Sequence, residues 1–225
     1  MVVAFPRLPR PPRDASGGEL IPKLVLASSS PRRPILLRHL TEDFTVDSVP
    51  VEEVAPRALS VAEAVEVIAR KKAIAVSAKH PDAYVLAADT VVVLGEELVD
   101  KARDVPQLRA QLAMLAGGTH QVWTGLALAW SGKAIDKRHA VTAVHMDRMP
   151  VEVVDAYAAS GAWYGKAGGY GIQDKLLAPF IRLQAGPWSN VVGLPLGKTA
   201  ELLRANGIQV REPPAEEWLR EHSTF

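Results

Sequence analysis

Leu24-Val25-Leu26-Ala27 is a short apolar run that ends on Ser28-Ser29-Ser30-Pro31-Arg32-Arg33. The run reads as a buried strand. Ser30 then reads as a helix N-cap, with Pro31 at the first helical position, where its missing N–H costs little. Pro34 still falls in the first turn, and Ile35-Leu36-Leu37 supplies the face to be buried. A strand therefore hands over to a helix across a stretch of hydroxyls and guanidiniums. Free backbone N–H groups and the positive end of the helix dipole favour an anion at such a place. Arg32 and Arg33 add bidentate donors suited to phosphate. The segment reads as a phosphate cradle, and equally as a capped helix with two solvated arginines. It is not a Walker loop, because no glycine-rich stretch ends in Gly-Lys-Ser/Thr, and no G-x-G-x-x-G opens the helix.

The rest of the chain alternates helices and strands. Asp43 to Val49 reads as a second strand, and Ser60 with Glu63 as a capping box opening a helix to about Lys79. Val61, Ala64, Val65, Ile68 and Ala75 recur there at helical spacing. Tyr84 to Leu94 is an apolar run interrupted by Asp89-Thr90. Asp104 caps a helix to Leu115, and Ser131-Gly132 joins two strands, His120 to Trp130 and Lys133 to His145. Pro150 to Ser160 reads as a helix, Gly161 to Lys175 as a glycine-rich loop, Pro179 to Gln184 as a strand and Leu196 to Ala205 as a helix. This order predicts an α/β fold on a mixed sheet.

Of the 225 residues, 48% are hydrophobic, enough for a proper core, and the net charge of +1 gives no global pull towards nucleic acid or a membrane surface. The chain has no cysteine, which excludes disulfides, thiolate metal sites and cysteine nucleophiles and agrees with a cytoplasmic location. No apolar stretch reaches the ~18 residues of a membrane span. Residues 1–20, rich in proline and arginine, read as a disordered arm. Residues 21–210 read as one domain with no clean linker, and 211–225 as a charged, peripheral tail.

Asp89 stands in Ala87-Ala88-Asp89-Thr90-Val91. A carboxylate amid so much apolar sequence is costly to bury unpaired, so it belongs at a turn or strand end or beside a cation. Glu52-Glu53 follows the second strand and brings another carboxylate to the same end of the sheet. Such a pair suits Mg²⁺, which keeps waters and substrate phosphates among its ligands, and equally suits a solvated loop. Lys101 and Lys166 lie in loops, each a phosphate counter-charge or a surface lysine. Gly168-Gly169-Tyr170-Gly171-Ile172-Gln173 lets backbone approach a ligand and ends on an amide that both donates and accepts, as the edge of a base demands. The same loop could close over nothing. His139 and His145 have no metal-helix spacing, and no H-E-x-x-H or G-x-S-x-G occurs.

Taken in order, these segments resemble the Maf family of nucleoside triphosphate pyrophosphatases over residues 23–206. The carrying stretches are Leu26 to Arg33, Ala69-Arg70-Lys71-Lys72-Ala73, Ala87 to Val92, Gly117 to Val122 with Thr124-Gly125, Lys166 to Gln173, and Asn190 to Leu196. Each alone is weak; all of them in the right order are specific. The resemblance implies a Maf/inosine-triphosphatase-like fold, an elongated mixed sheet flanked by helices, with two lobes and a central cleft, often paired as a homodimer. It implies hydrolysis of a nucleoside triphosphate between the α and β phosphates, giving monophosphate and pyrophosphate, with a divalent metal (Mg²⁺ or Mn²⁺).

By the same resemblance Asp89 is the catalytic base, and Glu53 helps to hold metal or water. Ser28, Ser30, Arg33, Lys72, Lys101 and Lys166 match positions that contact phosphates or metal-bound groups. The branch that prefers dTTP and UTP carries arginine, threonine and glutamine at three selectivity positions, here Arg32, Thr90 and Gln173. The chain departs from the family pattern at Ala102, Gly165, Pro187 and Asp174-Lys175. The family's link to septum formation suggests an alternative, a nucleotide-binding regulator of cell division with little catalysis.

Overall fold

The computed structural model describes residues 23–56 and 58–223. The arm read over residues 1–20 lies outside them. The described residues form a mixed α/β fold on a seven-stranded sheet, ordered β2-β1-β3-β5-β6-β7, with β4 paired to β3. The strands are β1 (Lys23–Ala27), β2 (Phe44–Asp47), β3 (Ala83–Leu94), β4 (Glu97–Val99), β5 (Gly118–Trp130), β6 (Lys133–Met146) and β7 (Ile181–Ala185). The helices are α1 (Arg32–Leu37), α2 (Val61–Ser77), α3 (Val105–Leu115), α4 (Val151–Ser160), α5 (Trp188–Val192), α6 (Leu196–Ala205) and α7 (Glu216–His222). Both β2 and β3 run parallel to β1, whereas β4 and β7 run antiparallel to β3 and β6. No described helix is long and apolar enough to cross a membrane.

Contacts divide the chain into two compact units. The first takes residues 23–89 of those described, Gly125–His139 and Leu196–Pro213; the second takes Thr90–Thr124, Ala140–Pro195 and residues 214–223. In the first, every second residue of the sheet meets α2. Val25 and Ala27, Ala83, Val85 and Ala87, and Ala127 and Ala129 cluster with Ala69, Ala73 and Val76. Side chains alternate across a strand, so the face turned to α2 is read by parity. The many alanines allow a close approach. At Gly125 the helix is so near that a Cβ would stand 2.4 Å from the Val65 carbonyl carbon and oxygen. The α2 capping box forms as expected, with Ser60 Oγ accepting from the Glu63 N–H and Glu63 Oε2 accepting from the Ser60 N–H. Of the expected α2 face, Val65 and Ile68 are buried, but Val61, Ala64 and Ala75 are only half-buried.

In the second unit α3 packs on α4, and α5 on α7. Asp104 caps α3 through the Gln107 N–H. The tail beyond residue 211 is not all peripheral. It contains α7, whose Leu219 is fully buried and whose Glu216 accepts from the Ser189 N–H and Oγ–H.

Candidate active site

Asp89 lies within β3, not in a turn between strands. It follows Ala83, Val85 and Ala87 on the same face of the strand, so it faces α2. There it meets Lys72, one helical turn from Ala69 and on the same side as Ala69, Ala73 and Val76. Lys72 Nζ lies 2.6 Å from Asp89 Oδ1 and 2.6 Å from Glu53 Oε1. One ammonium therefore joins a buried aspartate to a half-exposed glutamate that arrives from the segment after β2. The parity that aims Asp89 at α2 sends Thr90 to the opposite face, where its hydroxyl lies 2.9 Å from Thr124 Oγ1.

Beside this group the end of β1 opens a pocket of about 310 Å³, lined by Ser28, Ser29, Arg33, Glu53, Lys72 and the Ser48–Val51 stretch. Ser30 is not the N-cap expected of it. Pro31 occupies that position without a side-chain bond, and Ser28 Oγ instead accepts from the Ser30 N–H at 3.1 Å and from Arg33 Nη1 at 3.4 Å. With only six residues, α1 contributes little dipole, and the attraction for an anion rests on the two guanidiniums and the hydroxyls. Burial pushes the Arg33 guanidinium down to about 10; the Asp89 and Glu53 carboxylates work against that and neighbouring Arg32 adds to it. At neutral pH Arg33 keeps its charge.

The other candidates, Lys101, Lys166 and Gln173, belong to the second unit with Thr90. Lys101 pairs through its backbone with Ala167 at the start of the glycine-rich loop, and its side chain is exposed. The loop lies against β3 and α3. Gly168 has φ +66°, and a Cβ there would stand 2.9 Å from Val92 Cγ2. Lys166 is not the exposed counter-charge a loop lysine suggests. It is buried, and its ammonium engages both oxygens of Asp174, at 2.6 Å for Oδ1. Tyr157 Oη donates to the same carboxylate at 2.6 Å. At the loop's tip Tyr170 Oη lies 2.6 Å from His120 Nε2. Gln173 Oε1 is buried and accepts no hydrogen bond. Asp174 and Tyr157 were not among the candidates read from the sequence; the only signal was Asp174-Lys175 as a departure from the family pattern.

No cluster of three acidic, histidine or cysteine side chains able to hold a metal occurs among the described residues. Two carboxylates meeting at one ammonium fit a hard cation that takes its remaining ligands from water and phosphate oxygens.

Residues 23–206 match the Maf-like protein family. The chain belongs to this family. It is 44% identical over 193 residues to a dTTP/UTP pyrophosphatase of Paramagnetospirillum magneticum, covering 82% of this chain and 97% of that one. It is 45% identical over 193 residues to a dTTP/UTP pyrophosphatase of Myxococcus xanthus, covering 82% and 93%. It is 40% identical over 189 residues to that of Pelotomaculum thermopropionicum, covering 84% and 98%.

Proposed function

We propose that this chain hydrolyses dTTP and UTP to the monophosphate and pyrophosphate. The observation that carries the reading is the joining of Asp89 and Glu53 by Lys72 beside a pocket that also holds Ser28 and Arg33. Similarity to dTTP/UTP pyrophosphatases over more than four fifths of the chain supports it. Asp89 takes a proton from water as its oxygen attacks the α-phosphorus. The bond from that phosphorus to the α–β bridging oxygen breaks, and pyrophosphate leaves with the electron pair. Ser28, Ser30, Arg32, Arg33 and Lys72 supply donors and positive charge to the phosphates, which stabilises the departing pyrophosphate. Lys72 also fixes the carboxylate that receives the proton. Thr90, Lys101, Lys166 and Gln173 serve nucleotide binding, with the Gln173 amide on the pyrimidine edge. Asp89 and Glu53 are the residues that would hold Mg²⁺ or Mn²⁺, which when bound neutralises phosphate charge. A homodimer and a cytoplasmic location complete this reading and rest on the family resemblance.

The test is pyrophosphate release from dTTP, UTP, CTP, GTP, ITP and 7-methyl-GTP, with and without Mg²⁺. Metal-dependent release led by dTTP and UTP is expected. Preference for another base would sink the role given to Gln173. No release from any of them would leave the nucleotide-binding regulator.

A further inference from the structure

We infer that Lys166 and Asp174 act as one positioning staple, which shapes the loop carrying Gln173, and that Lys166 serves the nucleotide through Asp174 and not through the phosphates. The inference deepens the proposed function and rests on it for the part played by Gln173.

Within the glycine-rich loop Lys166 and Asp174 flank the Gly168–Gln173 stretch, eight residues apart. The Lys166 side chain is 9% exposed and that of Asp174 14%. The ammonium engages both carboxylate oxygens, and Tyr157 Oη, from the fully buried Tyr157 of α4, donates to one of them. The backbone of Asp174 is fixed as well. Its N–H donates to the Gly171 carbonyl, and its carbonyl accepts from Leu177 and Ala178. An ion pair held on three sides and closed from water costs much to open, because separation leaves each charge desolvated. A lysine so engaged is poorly placed to take up a phosphate.

What the staple holds is the residue next to Asp174. Gln173 Oε1 is buried with no donor, and a buried acceptor without a partner is expensive. A base that brings an N–H to that oxygen removes the cost. With the amide held so that Oε1 meets position 3 and the amide N–H meets position 4, uracil or thymine fits with N3–H and O4, whereas cytosine presents a lone pair and an N–H there. Releasing the loop lets the Gln173 amide reorient, and the preference between the two bases should fall.

The test is a double-mutant cycle read as the ratio of kcat/KM for UTP over CTP, with Asp174→Asn, Lys166→Met and the double variant. Each single variant should lower the ratio about tenfold, and the double should lower it no further, because residues acting as one unit are not additive. Faster amide hydrogen exchange over residues 165–175 is expected in all three. If Lys166→Met instead weakens UTP and CTP alike while Asp174→Asn keeps the wild-type ratio, Lys166 meets the phosphates directly and the inference falls. Should either charged variant fail to fold, Tyr157→Phe decides. It removes one hydrogen bond from Asp174 without stranding a charge, and an unchanged ratio with unchanged exchange would overturn the staple. Wild-type protein that hydrolyses no triphosphate would defeat the proposed function instead, and the exchange measurement would still judge the staple.

Discussion

Lys72 and Lys166 are both held by aspartates, and they are held in different ways. Lys72 is shared between two acids, touching one oxygen of each, and borders a pocket of about 310 Å³. Lys166 engages both oxygens of Asp174, and a tyrosine hydroxyl donates to the same carboxylate. The first arrangement lines a pocket from which water or a metal can approach. The second is closed. An open charge group suits chemistry, and a closed one suits holding a shape. Both pair a lysine with an aspartate, so residue type alone does not tell them apart; the pocket beside Lys72 and the doubly engaged carboxylate of Asp174 do.

The largest expected break in this comparison is Asp89→Asn. The amide keeps the shape and a contact to Lys72 but cannot take a proton from water. Pyrophosphate release should fall about 10³-fold, in the range for loss of a general base. Nucleotide binding, followed by equilibrium dialysis without turnover, should persist. Release equal to wild type would remove Asp89 from the role of base.

Lys72→Met should be felt in stability as well as activity. Asp89, 5% exposed, would lose its ammonium in an apolar strand, while half-exposed Glu53 can turn to water. Stranding a buried charge costs about 3 kcal/mol. The urea midpoint should drop accordingly, and Lys72→Met with Asp89→Asn should recover most of the loss. If the double variant is no more stable than the single one, the cost lies in packing of the lysine stem and not in the stranded charge.

This part of the molecule was largely legible in the sequence. Long apolar strands and capped helices announce themselves through period and cap, and β3, α2, α3, β5 and β6 all formed near their expected bounds. Asp89 was legible as a costly carboxylate. Its place inside a strand was not, because the residue that makes the place affordable, Lys72, is 17 positions away. The Ser30 cap did not form: Pro31 holds the N-cap position, and Ser28 Oγ accepts from the Ser30 N–H. β4, α5 and α7 span three, five and seven residues, too few to show a period. The Lys166–Asp174 pairing could not be read, because a loop has no periodicity to show which side chains meet; only the departure at Asp174-Lys175 marked the place.

His120 and Tyr170 offer an uncharged counterpart to the Lys166 pairing in the same loop. His120 is 1% exposed, and its pKa is pushed down to about 4, chiefly by burial and then by His145. The folded protein therefore keeps this histidine neutral where the unfolded chain would protonate it below about 6.5. Its contribution is full above pH 6.5 and is lost as pH falls towards 4, by roughly 3 kcal/mol at most. Melting temperature should fall through that window in wild type. His120→Gln, which cannot titrate, should flatten that part of the curve. A curve of unchanged steepness would assign the acid sensitivity to other groups.

The smallest effect is expected at a third paired acid, and it sets the scale for the other two. Glu66 on α2 is 8% exposed and is met by Lys137 Nζ and, at 2.7 Å, by His139 Nδ1. By count of partners it resembles Asp174. Its partners, however, have side chains 40% and 42% exposed, so water screens them and takes them back readily when the acid is removed. Glu66→Gln should cost about 1 kcal/mol, since the amide oxygen still accepts and both half-exposed partners can turn to water. A chemical-denaturation midpoint gives the figure. A loss as large as that of Lys72→Met would mean that exposure of the partner does not govern the cost of breaking these pairs. The contrast between an open and a closed lysine would then have to rest on geometry alone.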